Sequence, residues 1–182
     1  LIKSYTKKPF NHASIAFDQE LLDGYSFGRK NPRNPFLAGF VKEDIQSVLF
    51  HRAQCAIYAM TVTDRQFYKM KQYVQIMYEH KEHFHYNLLG LFGLVLNKPI
   101  QRENAFFCSQ FVARILEDCD IMKFEKDFSL IAPHDLPVAI PFECIYEGAL
   151  SDYRNQFVKT KRLLPRVYMN AIPSAQLAER RG

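Results

Sequence analysis

The chain has 182 residues, of which 48% are hydrophobic and 24% are charged. These values are ordinary for a globular domain, and they exclude a wholly disordered chain, a collagen-like rod and a long coiled coil. The formal net charge of +5 permits an anionic partner. No lysine and arginine run with interleaved aromatic residues indicates a nucleic-acid surface, so we expect no nucleic-acid partner.

No uninterrupted apolar stretch approaches the roughly 20 residues that a transmembrane helix needs, so no transmembrane segment is predicted. The first residues contain no apolar signal-peptide core. The chain does not begin with Met, which indicates a processed or trimmed N-terminus. The four cysteines are scattered without a C-x-x-C pair, as is typical of free thiols in a reducing compartment. The predicted location is therefore cytoplasmic.

The N-terminal part of the chain is typical of a β-hairpin. Residues 10–17 alternate, so that Ala13, Ile15 and Phe17 share one face while His12 lies on the other. Residues 18–24 form the expected turn, and a second strand starts at residue 25. The basic segment from Arg29 to Pro35 contains two prolines and is predicted to be a loop bordering the cleft.

The rest of the chain alternates between strand and helix patterns. A strand is predicted over 53–62, a helix over about 64–81 capped by Thr63, a helix or buried segment over 86–96, a helix starting near Cys108, and a short strand over 142–147. From about residue 159 the chain is basic and contains two further prolines, which predicts a loosely held arm. The sequence thus indicates an α+β domain over 1–158 and an arm over 159–182.

Cys108 is the strongest candidate for chemistry. It lies at the predicted first turn of a helix, in the segment Phe107-Cys108-Ser109-Gln110-Phe111-Val112. Free N–H groups and the positive end of the helix dipole lower the pKa of a thiol there, and the thiolate is the nucleophile. A small buried cysteine that starts an apolar helix is the alternative interpretation.

His12 is the natural partner for such a nucleophile. It lies in a short strand among small residues, which leave room for another element to pack across it. A base on a strand that faces a nucleophile at a helix start is typical of cysteine hydrolases. The alternative is a half-exposed strand histidine with no role.

Together, the segment Asn11-His12-Ala13-Ser14-Ile15-Ala16-Phe17 and the later Cys108-Ser109-Gln110-Phe111-Val112 resemble the permuted papain-like cysteine hydrolases. These are relatives of bacterial cell-wall cysteine endopeptidases in which the strands that carry His precede the helix that carries Cys. The resemblance covers roughly residues 3–150. It implies an α+β, circularly permuted papain-like fold, with an antiparallel sheet or small barrel packed against helices.

The resemblance also implies roles for residues. Cys108 would be the nucleophile, His12 the base, and a polar residue on the next strand would orient His12. That position falls on Ser26, with Asp18 and Asp23 as alternatives that flank the hairpin. The wider family includes acyltransferases, so the fold alone does not fix the reaction.

Further candidates concern the carbonyl oxygen and the substrate. The backbone N–H of Cys108 is the expected first oxyanion donor, and Tyr5 or Asn104 could add a side-chain donor. Arg29 could bind a carboxylate or phosphate of the substrate. No phosphate-binding glycine motif and no metal-ligand spacing is present, so neither a cofactor nor a metal is expected.

Three functions remain open at this point. The first is a cysteine amidase or peptidase that acts on a peptide, amide or N-acyl substrate through a Cys108 acyl-enzyme. The second is a thiol-dependent lipid acyltransferase with peripheral membrane contact through the basic termini and Phe36, Leu37 and Phe40. The third is an inactive member of the same fold that binds a peptide or lipid in the cleft.

Overall fold

A computed structural model of the chain describes residues 10–31, 34–47, 50, 53–139, 142–156 and 166–173. They form an α+β structure with one eight-stranded sheet. The strands are β1 (Phe10–Ala16), β2 (Gly24–Asn31), β3 (Asn34–Lys42), β4 (Gln54–Thr61), β5 (His85–Tyr86), β6 (Ala105–Phe106), β7 (Glu143–Ala149) and β8 (Arg166–Pro173). The helices are α1 (Asp64–Glu79), α2 (Leu88–Val95), α3 (Cys108–Asp118), α4 (Leu136–Ala139) and α5 (Leu150–Gln156), with a 3₁₀ turn at Phe128–Leu130.

The sheet is mixed, and across the described residues it stays open instead of closing into a barrel. Its strand order is β6-β5-β3-β2-β1-β8-β4-β7. All neighbouring pairs are antiparallel except β5 and β6, which run parallel. The α+β class is therefore confirmed, and the barrel alternative is not.

The expected boundary at residue 158 is wrong for part of the C-terminal arm. Residues 166–173 form β8, which pairs with β1 on one side and β4 on the other, near the middle of the sheet. Val167, Met169 and Ala171 are fully buried. A central strand that is buried on both faces has a short apolar sequence without alternation. The basic residues on both sides of this run led to the prediction of an arm instead of a strand.

The residues predicted as a proline-rich loop belong instead to a second hairpin. β2 continues to Asn31 and β3 begins at Asn34, with antiparallel pairing from Tyr25 with Lys42 to Asn31 with Asn34. Pro35 lies in β3, next to the strand start, where its missing N–H is tolerated. Residues 32 and 33, which separate the two strands in the sequence, lie outside the described residues.

The predicted hairpin, long helix and cysteine-bearing helix are confirmed. α1 begins after Thr63, whose hydroxyl accepts a hydrogen bond from Gln66 N–H while the Gln66 side chain returns to Thr63 N–H. The turn before β2 is held by Asp18, whose carboxylate accepts hydrogen bonds from the Leu22 and Asp23 N–H groups. These local bonds end β1 and reverse the chain into β2.

The core divides between the two faces of the sheet. Ala13, Ile15 and Phe17 belong to one cluster, which also holds the apolar faces of α1 and α3. Ala16 belongs to a second cluster, with side chains from β4, α5 and β8. The alternation predicted for residues 10–17 is therefore confirmed, with Ala13, Ile15 and Phe17 in one cluster and Ala16, on the His12 face, in the other.

Among the described helices, none combines the length and hydropathy that crossing a bilayer requires.

Candidate active site

His12 is paired with a carboxylate that the sequence did not single out. Its Nε2 lies 2.6 Å from Oε1 of Glu43, the residue that directly follows β3. The side chains are 13% and 4% exposed, so water screens this ion pair only weakly. Because Nε2 is occupied, Nδ1 is the nitrogen of His12 that is left for proton exchange with another group.

The carboxylate of Glu43 lies just beyond the end of β3, near polar side chains of β1 and β2. The backbone N–H of Glu43 donates to Gly24 O at 2.8 Å, which extends the β2–β3 pairing by one residue. Burial alone would raise the pKa of Glu43, but the positive charge and hydrogen bond of His12 lower it, and the nearby Ser26 and Ser14 hydroxyls lower it further. Both serines are buried. The carboxylate is therefore held ionised beside the imidazole.

Cys108 is the first residue of α3, and the first turn of that helix is fixed by side chains. The Oε1 atom of Gln110 accepts hydrogen bonds from Phe107 N–H at 3.3 Å and from Asn87 Nδ2 at 3.4 Å. The Ser109 hydroxyl donates to Ile131 O at 2.7 Å. The N–H groups of the first helical turn have no intrahelical acceptor, so this rigid turn presents donors around the thiol.

The sheet opens where Cys108 approaches it. β1 and β2 pair only through Ile15 with Tyr25 and Ala16 with Gly24, so the strands separate towards His12 and Gly28. The backbone N–H of Ala13, in β1, hydrogen-bonds the sulfur of Cys108. The start of α3 thus meets β1 at the opening, which explains how residues 96 positions apart come together.

The contact between Cys108 and His12 favours an ion pair. Burial would raise the pKa of Cys108, but the hydrogen bond and the charge interaction with His12 lower it. The backbone N–H groups of Ala13 and Ser109 lower it further. Burial would lower the pKa of His12, but Glu43 and Cys108 raise it to about 10. A thiolate facing an imidazolium, with a carboxylate behind it, is an activated nucleophile.

Tyr86 and Arg29 border the pair. Tyr86 lies in β5 and pairs in parallel with Phe106, two residues before Cys108. Burial and the nearby charge of Cys108 raise the pKa of Tyr86, and Arg29 opposes that shift. The side chain of Arg29 is exposed to solvent, and its role in binding a substrate anion stays a prediction.

The other predicted orienting residues occupy different places. The buried Ser26 hydroxyl has no hydrogen-bond partner, and the Nε2 of His12 is occupied by Glu43; Ser26 acts only by lowering the pKa of the nearby Glu43 carboxylate. Asp18 caps the hairpin turn. Asp23 forms ion pairs with Lys71 and Lys42 and accepts a hydrogen bond from the Tyr25 hydroxyl. The direct orienting contact is thus made by Glu43, and both aspartates have structural partners elsewhere.

Of the two predicted side-chain oxyanion donors, Asn104 is not brought to Cys108 by any contact of the described residues. Asn104 has a left-handed backbone, with φ of 51°, and its carbonyl accepts a hydrogen bond from His85 N–H. Its side chain lines a surface groove with Gln110 and Arg114. Tyr5 lies outside the described residues. Of the expected donors, the backbone N–H of Cys108 is the one at the thiol.

The remaining cysteines differ from Cys108. All four are free thiols. Burial raises the pKa of Cys55 to about 12 and that of Cys119 to about 11, so neither forms a thiolate near neutral pH. Cys144 is exposed to solvent. No cluster of three or more His, Cys, Asp or Glu side chains suited to a metal ion occurs in the described ranges.

Comparisons of the chain with protein-family models, with curated proteins and with solved structures gave no significant match, so the inference about function rests on the residues of this chain.

Proposed function

We propose that this protein is a cysteine amidase or peptidase with the permuted papain-like arrangement that its sequence resembles. The observation that supports the proposal most is the buried series Cys108, His12 and Glu43, in which a thiol, an imidazole and a carboxylate interact in sequence. Such a series matches the requirement for a nucleophile, a base and an orienting group.

In the proposed reaction, the Cys108 thiolate attacks the carbonyl carbon of an amide. A C–S bond forms, and the carbonyl π electrons move to oxygen, where the backbone N–H of Cys108 stabilises the negative charge. The C–N bond then breaks as His12 Nδ1–H gives its proton to the departing amine, which leaves a thioester on Cys108.

Water completes the cycle. Neutral His12 takes a proton from a water molecule while the water oxygen attacks the thioester carbonyl carbon. The tetrahedral intermediate then breaks its C–S bond and releases the carboxylic acid and the Cys108 thiolate. The carboxylate of Glu43 keeps Nε2 of His12 protonated and stabilises the imidazolium in both halves of the cycle. An acceptor other than water would make the same thioester the intermediate of an acyltransferase.

The acyl-enzyme itself provides the test. The protein is incubated with a series of N-acyl aminocoumarin amides, and the intact mass and coumarin release are followed together. We expect wild type to gain the acyl mass on Cys108 and to release coumarin. Cys108→Ala should do neither, while Cys144→Ala, which removes an exposed thiol outside the site, should behave as wild type.

The outcomes separate the three functions. Labelling that persists in Cys108→Ala, or a folded wild type that acylates with no member of the series, would contradict the amidase proposal. An acyl-enzyme that resolves faster with an added amine than with water would indicate a transferase. A binding protein would show ligand affinity without any acyl adduct.

A further inference from the structure

Helix α2 presents an apolar stripe to solvent. Leu88, Leu89, Phe92 and Leu96 are 53%, 55%, 45% and 66% exposed. At 100° per residue these positions fall within an arc of about 100°, so they form one continuous face. Scattered exposed apolar residues are ordinary on a protein surface, but three leucines and a phenylalanine on one face of α2 and its C-cap indicate an interaction surface.

The orientation of α2 is fixed by its inner face. The N-cap residue Asn87 accepts a hydrogen bond from Gly90 N–H at 2.8 Å. A Cβ on Gly90 would lie 2.2 Å from the Asn87 side chain, and a Cβ on Gly93 would lie 2.5 Å from Lys98 O. Only glycine permits these close approaches, so the leucine face is held outward by packing and not by fraying of the helix.

The stripe is attached to the candidate active site. Asn87 N–H donates to Phe106 O, and Asn87 Nδ2 donates to Gln110 Oε1. Phe106 and Gln110 lie on either side of Cys108 in the chain. A surface that binds α2 is therefore held at a fixed position relative to the thiol.

The charge around the stripe favours one occupant. No Asp or Glu occurs between Glu82 and Glu103, and Lys98, three residues after α2, is exposed. The 3₁₀ turn that packs against α2 begins after Asp127, whose carboxylate already accepts hydrogen bonds from Gln101 and Ser129. The Lys30 side chain lies against Gly39, the residue of β3 that pairs with His85 of β5. Leu37, two residues before Gly39 in β3, is also exposed. An apolar face with a cationic rim complements anionic headgroups, whereas in a symmetric dimer it would bring like charges together.

We propose that the exposed face of α2 docks on an anionic membrane surface and presents lipid-borne amides or esters to Cys108. Docking is a property of the surface alone, while the substrate class rests on the proposed function. The expected membrane contact through Phe40 is replaced by α2, because Phe40 is 1% exposed; Leu37 remains available, and the side chain of Phe36 lies outside the described residues.

Tryptophan fluorescence gives a direct readout, because the chain contains no Trp. Phe92→Trp places a single reporter in the stripe, and Tyr68→Trp places one on α1, where Tyr68 is 70% exposed. With vesicles of phosphatidylcholine and phosphatidylserine, we expect a blue shift for Phe92→Trp and none for Tyr68→Trp. Vesicles of phosphatidylcholine alone should give a weaker shift.

Flotation with the same vesicles measures affinity. Leu89→Glu and Phe92→Glu should each weaken binding about tenfold, while Ile76→Glu, at an exposed apolar site on α1, should not change it. Cys108→Ala should bind as wild type, so a failure of catalysis is distinguishable from a failure of docking. Wild type that stays unbound, charge variants that bind as wild type, or a dimer that Leu89→Glu dissociates would overturn the proposal.

Discussion

The carboxylate of Glu43 accepts a 2.6 Å hydrogen bond from Nε2 of His12, and the two residues are 31 positions apart in the chain. The contact requires β3, because Glu43 follows that strand directly and reaches His12 across the β2 position. It leaves Nδ1 of His12 for Cys108. The orientation of the His12 imidazole therefore depends on an ion pair and not on a serine hydroxyl.

Glu43→Gln should lower kcat about 100-fold, since the neutral amide keeps the shape of the side chain but no longer stabilises the imidazolium. The pKa of His12, raised to about 10 in wild type, should fall in the variant. NMR titration of the imidazole C–H signals measures this shift. Asp23→Asn, at an acidic residue with partners outside the site, should leave kcat unchanged; equal losses in the two variants would contradict the assignment.

Ser26→Ala should have a much smaller effect than Glu43→Gln. The Ser26 hydroxyl is buried near the Glu43 carboxylate without a hydrogen-bond partner, so its loss removes only a weak polar interaction that helps to lower the pKa of Glu43. We expect kcat/KM to fall several-fold and the acidic limb of the pH–rate profile to move upward. A loss as large as that of Glu43→Gln would instead support Ser26 as the direct orienting group.

Asp23→Asn should destabilise the protein in a pH-dependent way. Burial would raise the pKa of Asp23, but Lys71, Tyr25 and Lys42 lower it below the usual value. A depressed folded-state pKa contributes stability above the unfolded value of about 3.9, and that stability is lost as pH falls through the folded value. Urea unfolding should show a loss of about 1 kcal/mol at pH 7 that shrinks in acid.

The control for this prediction is Asp120→Asn. Asp120 pairs with Lys69 in an exposed ion pair, with its side chain 79% accessible. Solvent screening leaves such pairs with little effect on folding, so unfolding curves of this variant should overlay those of wild type. If both variants lose the same free energy of unfolding, the contacts of Asp23 with Lys71, Lys42 and Tyr25 do not stabilise the fold more than an exposed ion pair does.

The sequence predicted those parts of the fold that depend on local patterns. α1 has an amphipathic period and a capping box at Thr63, and both act within a few residues. The start of α3 at Cys108 and the alternation in β1 are local in the same sense. His12 and Cys108 could therefore be paired from the sequence, with help from the resemblance.

The sequence did not indicate Glu43 because its position depends on β3, and the prolines of this region predicted a loop instead of a strand. Pro32 and Pro35 indicated a loop, yet Pro35 lies near the start of β3, and the apolar residues after it continue the hairpin to Lys42. An acidic residue immediately after such an apolar run was the available signal. β8 was missed for a related reason, since its pairing partners β1 and β4 are more than 100 residues earlier in the chain.

The rate of iodoacetamide labelling at each cysteine as a function of pH, read by mass spectrometry, tests the central claim most directly. Cys108, whose pKa is lowered beside His12, should label near pH 6 far faster than exposed Cys144, while Cys55 and Cys119 stay unmodified. His12→Ala should abolish that advantage, and Ser151→Ala, at an exposed residue of α5, should retain it. Labelling of Cys108 no faster than Cys144, unchanged by His12→Ala, would contradict the thiolate–imidazolium pair and the proposed function with it.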